Sequence, residues 1–122
     1  MQSHKDLNVW KKSMEFVQNI YRLTRKFPQE EQYGLSAQMR RSAISIPSNI
    51  AEGAARNSVK EYKQFLYISL GSAAEIETQL EIAEGLGYIS DGKTLQTNII
   101  EIRKMLMGLI SYVAKKKISA KV

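Results

Sequence analysis

The chain has 122 residues, 43% of them hydrophobic and 25% charged, which describes one ordinary soluble domain and leaves no room for two independent cores. It has no cysteine, which excludes disulfides, thiolate zinc sites and a cysteine nucleophile, and its one histidine, His4, cannot alone supply a histidine metal cluster or a Ser-His-Asp triad. The formal net charge of +6 suits an anionic partner and is unevenly spread: +5 over residues 1–63, −5 over residues 64–92 and +6 over residues 93–122.

No stretch approaches the roughly 20 continuous apolar residues that span a bilayer. The N-terminal MQSHKDLNVWKK has no apolar signal core, so a cytoplasmic protein without a membrane partner is expected. Few prolines and glycines, and an abundance of Leu, Ile, Ala, Glu, Lys and Gln in the long segments, favour helix.

The first helix is predicted from about Leu7 to Lys26, with Leu7, Trp10, Met14, Val17, Tyr21 and Thr24 as its apolar stripe. Phe27-Pro28 ends it, because the residue before proline is pushed out of the α region, and Arg22, Arg25 and Lys26 suit its C-terminal dipole. The second helix runs from near Ser36 to about Ala55, with Met39, Ala43, Ile46 and Ile50 on one face across Pro47. A kink is expected at that proline rather than a break, although a break at Ile46 stays open.

Ser58-Val59-Lys60-Glu61 reads as a capping box that starts the third helix. That helix carries Tyr62, Phe65, Leu66, Ser69, Ala73, Ile76, Leu80 and Ala83 and stops at Gly85 and Gly87, where a left-handed cap is easy. Gly71, with Ala73 and Ala74, suggests close approach of a neighbouring backbone there. The fourth helix follows Ser90-Asp91-Gly92, buries Leu95, Ile99, Ile102, Leu106, Leu109 or Ile110, and Val113, and ends in Lys115-Lys116-Lys117. Four amphipathic helices on short loops predict an all-α, up-down-up-down four-helix bundle spanning residues 1–122 as one domain. Ile68, Leu70, Ile100 and Met107 fall off the core stripes, and self-association is the simplest account of that surplus.

The run from Phe27 to Tyr88 carries a set of ordered motifs: Phe27-Pro28, Tyr33-Gly34-Leu35, Gln38 with Arg40-Arg41, Ser45-Ile46-Pro47-Ser48-Asn49-Ile50-Ala51-Glu52-Gly53, and Gly71-Ser72 with Glu75. In these it resembles the four-helix-bundle proteins encoded within intervening sequences of bacterial 23S ribosomal RNA genes, a fold family that includes the accessory variability protein of diversity-generating retroelements. The resemblance implies a homopentameric ring of bundles around a central channel, without known catalytic activity. The retroelement relatives are thought to bind nucleic acid and a reverse transcriptase.

Gln38, Arg41, Ser45, Asn49 and Glu52 recur at three and four residues and share one helix face. An enzymatic reading makes Glu52 a general base beside Arg41, but catalysis also wants a nucleophile or a metal, and neither is suggested. The better reading is a structural polar network with the third helix, in which Arg41 pairs with Glu75 or Glu52 and Asn49 satisfies backbone freed by Pro47. No cofactor or metal is expected. Glu75, Glu77, Glu81 and Glu84 lack the loop ligands calcium wants, so Glu77, Glu81 and Glu84 read as a solvated face or as partners for lysines of a neighbouring subunit.

The functional candidates are cations: Arg22, Arg25, Lys26 and Arg40 toward one end of the bundle, and Arg56, Lys60 and Lys63 toward the other. Lys115, Lys116 and Lys117, with Lys121, form a tail that is either a frayed solubilising end or a binding arm. Tyr67 is a candidate for an interface or for base stacking, whereas Trp10 and Tyr21 are assigned to the core. Three readings follow: an oligomer that binds RNA or DNA by charge and shape, a scaffold that docks a protein such as a polymerase, and, least favoured, an enzyme.

Overall fold

Four helices account for most of the chain in the computed structural model, which describes residues 3–120, with side chains described as far as residue 116. After a 3-10 turn at His4–Asp6, helix α1 spans Asn8–Thr24; a second 3-10 turn at Gln29–Glu31 leads to α2 at Leu35–Ala54, followed by α3 at Val59–Gly85 and α4 at Lys93–Ala120. Strands are absent among the described residues.

The helix ends follow local chemistry. The Glu61 amide donates to Ser58 Oγ at 3.1 Å, as the capping box requires, but the Ser58 hydroxyl donates to Glu61 Oε2 at 3.1 Å where the carboxylate was expected to reach the Ser58 amide. At the far end of α3, Gly87 takes φ of +82°. This lets the Gly87 amide donate to Glu84 and the Tyr88 amide to Ala83, a Schellman closure that uses carbonyls the helix leaves free. Asp91 Oδ1 accepts from the Lys93 amide at the start of α4. That helix continues through Lys115-Lys116-Lys117 to Ala120, so the lysine run is helical where a stop was expected; Lys121 lies outside the described residues.

Pro47 lies inside a single continuous α2, and the break considered at Ile46 does not occur. Met39, Ala43, Ile46 and Ile50 are all fully buried on either side of it, so the packed face carries the helix across the missing hydrogen bond. Asn49 does not serve the carbonyl that Pro47 frees. Its Nδ2 donates instead to the Ser45 carbonyl at 2.8 Å and to Ser45 Oγ at 2.9 Å.

Contacts between neighbouring helices run in opposite senses. Arg40 near the start of α2 meets Tyr21 and Thr24 near the close of α1, Gly53 at the close of α2 lies against Tyr62 and Phe65 near the start of α3, and Glu77 in the second half of α3 pairs with Arg103 in the first half of α4. Each helix therefore packs antiparallel on two neighbours, in the cyclic order α1, α2, α3, α4. The core is Phe16 and Ile20 of α1, the α2 face, Leu66, Ala73, Ile76 and Leu80 of α3, and Ile99, Ile102 and Leu106 of α4. Burying each large side chain in this set contributes about 1.5–3 kcal/mol.

Two expectations are corrected here. The face of α1 that enters the core is Val9, Ser13, Phe16, Ile20 and Thr24; Met14 is exposed, and Trp10, Val17 and Tyr21 lie half-buried along the α2 side. Ser13 and Thr24 are tolerated inside because their hydroxyls donate back to the Val9 and Ile20 carbonyls, at 2.6 and 2.8 Å. The close backbone approach is not at Gly71, where an added Cβ would meet nothing, but at Gly53 of α2. There a Cβ would come within 2.9 Å of both Phe65 Cβ and Tyr62 Cδ1.

Candidate nucleic-acid interface

The antiparallel register divides the cations between the two ends of the bundle. One end joins the close of α1, the start of α2, the close of α3 and the start of α4. Arg22, Arg25 and Lys26 are exposed here, with Arg22 donating to Asn19 Oδ1 at 2.7 Å. Glu30, Glu31, Glu81, Glu84 and Asp91 belong to the same end, so its charge is mixed.

Arg40 is not a free surface cation. It is half-buried, its guanidinium lies 4.6 Å from the Tyr21 ring centroid, and its Nε donates to Thr24 Oγ1 at 2.8 Å. Tyr21 is thus a platform for arginine at the edge of the α1–α2 seam, where a core position was expected.

The other end joins the start of α1, the close of α2, the start of α3 and the close of α4. Arg56 and Lys60 are exposed there and Lys63 is half-buried. The pairing of Arg103 with Glu77 sets α4 against α3 so that Lys115 and Lys116, both exposed, come level with the first two turns of α3. The backbone of Lys117 continues this run in α4, while its side chain lies outside the described residues. Lys5 and Lys11, exposed at the start of the chain, join the same end. Neither belongs to a motif that stands out in the sequence, and the antiparallel order of the helices is what places them here.

The acids of this end are Asp6, Glu52 and Glu61, fewer than its cations. Glu52 pairs with Arg56 at 3.0 Å, while the Arg56 guanidinium lies 4.9 Å from the Phe65 ring centroid. Lys116 lies 5.6 Å from the ring centroid of Tyr112, which is itself 58% exposed. Lys12 pairs with Glu101 across the α1–α4 seam, and that carboxylate raises the Lys12 pKa by hydrogen bond and charge.

The expected polar network is present in part. Ser45 Oγ accepts from Asn49 Nδ2 and from Ser72 Oγ, the latter at 2.8 Å, which ties α2 to α3. Gln38, Arg41 and Glu75 line a cleft of about 300 Å³ beside these serines. Arg41 pairs with neither expected partner. Glu52 stands about 16 Å along the same helix from it, whereas Arg56 is one turn from Glu52 and takes its carboxylate. Nor does Glu75 reach Arg41, across the cleft between them. Glu77, expected to face solvent or another subunit, is held by Arg103 of its own chain at 2.8 Å.

A link not foreseen from sequence closes the mixed end. Tyr88, in the α3–α4 loop, donates its hydroxyl to Glu31 Oε2 at 2.8 Å, and Glu31 Oε1 accepts from the Leu35 amide at the start of α2. The hydrogen bond to this carboxylate raises the Tyr88 pKa. Burial raises that of Tyr62.

Among the described residues no three of His, Cys, Asp and Glu gather as a metal cluster, and no helix is long and apolar enough to cross a membrane. The class these features define is an antiparallel four-helix bundle with asymmetric basic ends. Residues 5–108 match the model of the 23S rRNA-intervening sequence protein family, and the chain belongs to that family. A solved structure from Bacteroides thetaiotaomicron, a protein of unknown function of the S23 ribosomal protein family, is 31% identical. It superposes with a TM-score of 0.78 over 84% of this chain and 95% of the other. No curated protein matches the chain.

Proposed function

We propose that the protein is a non-enzymatic, self-associating bundle that binds nucleic acid, structured RNA foremost, by charge and shape. The observation that supports this most is the convergence of cations from four parts of the chain on one end: Lys5 and Lys11, Arg56, Lys60 with Lys63, and Lys115 with Lys116. Such clustering concentrates phosphate contacts and counterion release on one surface. No base-reading motif accompanies it, so shape and charge decide the ligand.

Self-association rests on apolar surface left outside the core. One apolar groove of about 370 Å³ lies on the α1–α2 side, lined by Trp10, Met14, Val17, Ile44 and Pro47. On the opposite pair of helices Tyr67, Ile100 and Met107 are exposed by 55%, 40% and 56%. Two different apolar faces on opposite sides of one bundle suit head-to-tail association, which forms a ring where the rotation between copies closes and an open filament where it does not. With the family resemblance, a homopentamer is the expected ring, and it repeats every cation five times.

A scaffold that docks a protein such as a polymerase is the second reading, favoured by those same exposed apolar side chains. Fluorescence anisotropy of the protein against a structured RNA, a DNA duplex and single strands, with the charge reversals Arg25→Glu and Arg56→Glu, separates the two. Collapse of nucleic-acid affinity in the variants supports the first reading. Absence of binding by the wild type at low salt overturns it and puts the scaffold in front. Turnover of a substrate that is lost in Glu52→Gln, with the fold intact, would contradict the non-enzymatic assignment.

A further inference from the structure

We infer that the cleft between the close of α1 and the start of α2 is a phosphate-binding site, one that takes a phosphomonoester or a backbone phosphodiester. This rests on the proposed reading of the bundle as a binder of phosphate-bearing ligands and adds a defined site at the end opposite the lysine-rich one. The cleft measures about 390 Å³ and is lined by Thr24, Arg25, Gln29, Gln32, Ser36 and Arg40, beside the Phe27-Pro28 turn. No carboxylate lines it. That composition is unlike the α2–α3 cleft, where Glu75 opposes Arg41.

Arg40 is prepared for an anion. The Thr24 hydroxyl gives its one hydrogen to the Ile20 carbonyl and accepts from Arg40 Nε, while the Tyr21 ring supports the guanidinium plane. Among the described residues its two terminal nitrogens form no hydrogen bond or ion pair, so the fork that matches two phosphate oxygens is held in place and unused. Arg25, exposed at the C-cap of α1, is likewise unpaired among the described residues.

Ser36 supplies an independent observation. It is 4% exposed, lines the cleft, and its hydroxyl has no hydrogen-bond partner among the described residues. Its hydroxyl oxygen is not sealed from solvent, so it is reachable from the cleft, where a phosphate oxygen would accept its hydrogen. Ser36 also belongs to the first turn of α2, a helix of 20 residues, where amides without intrahelical partners carry partial positive charge. Glu31 uses its oxygens on the Leu35 amide and the Tyr88 hydroxyl and does not line the cleft.

The test titrates the purified full chain with inorganic phosphate, followed by chemical-shift changes of the Arg and Ser36 signals. It then uses one RNA oligonucleotide in 5′-phosphorylated and 5′-hydroxyl forms, followed by anisotropy. Saturable phosphate binding at one site per chain is expected, weakened about tenfold or more in Arg40→Gln. Because Arg40 also packs on Tyr21, Gln32→Glu serves as the second variant: it places a carboxylate at an exposed position in the cleft and should weaken phosphate at least as much with helicity unchanged. Tighter binding of the 5′-phosphorylated strand identifies a monoester site; equal binding of both forms, lost together in Gln32→Glu, identifies a diester site. Absence of saturable phosphate binding, or unchanged phosphate affinity in both variants, overturns the inference even if RNA still binds through the lysine-rich end. Phosphate binding without any RNA binding would sustain this site while removing the nucleic-acid reading.

Discussion

Gly53 and Gly71 show how the same residue serves opposite purposes one helix apart. An added methyl at Gly53 meets the Phe65 and Tyr62 side chains at 2.9 Å, so Gly53→Ala should cost about 1–3 kcal/mol as overpacking at the α2–α3 contact. Gly71 faces open space in mid-helix, and Gly71→Ala should stabilise the bundle by up to about 1 kcal/mol through helix propensity. Urea denaturation of the two variants measures both signs. Sequence alone suggested the close approach at Gly71 and made no assignment for Gly53, because neither glycine announces which face its helix turns inward. The misplaced stripe of α1 has a related cause. Its large apolar residues Trp10, Met14 and Val17 border the α1–α2 groove, while Ser13, outside the expected stripe, enters the core by bonding its own helix backbone, as does Thr24, the member of that stripe that is buried.

At the scale of elements the chain was legible. Helix boundaries fell within one or two residues of expectation for α1, α2 and α3, since capping serine, pre-proline and glycine signals act locally. Ser58→Ala should accordingly cost about 0.5–2 kcal/mol, read in the same denaturation experiment. Links between elements were not legible, and the Tyr88–Glu31 hydrogen bond is the clearest case, joining two loops 57 residues apart. Its neutral hydroxyl is favoured in the folded state, so its stabilisation is fully present below the ordinary tyrosine pKa of about 10 and is lost as pH rises through the raised value. Tyr62 and Lys12, also raised, add to the same alkaline limb. Thermal melts from pH 8 to 12 should therefore show the wild type losing stability more steeply than Tyr88→Phe. Parallel curves would remove that role from Tyr88.

For the whole molecule, apolar side chains stay exposed and the charge is asymmetric, which are the features the proposed ring and ligand would use. Light scattering should give about 70 kDa, five times the 13.9 kDa chain, at micromolar concentration. Met107→Asp, on the exposed α4 face, should shift that mass toward the monomer without loss of helicity. A single-chain mass for the wild type would contradict the ring. The candidate interface was legible residue by residue, since Arg56, Lys60 and the terminal lysines stand out in the sequence. Its unity was implicit in the antiparallel order expected from the sequence, which already puts Lys5, Lys11 and the lysine tail at the same end as Arg56 and Lys60.

The most direct measurement is the salt dependence of RNA affinity for the wild type and for a Lys60→Gln/Lys116→Gln variant. The account predicts a steep negative slope of log affinity against log salt, flattened in the variant by about one for each phosphate contact removed. A slope near zero, or the same slope in both proteins, would contradict binding through the lysine-rich end.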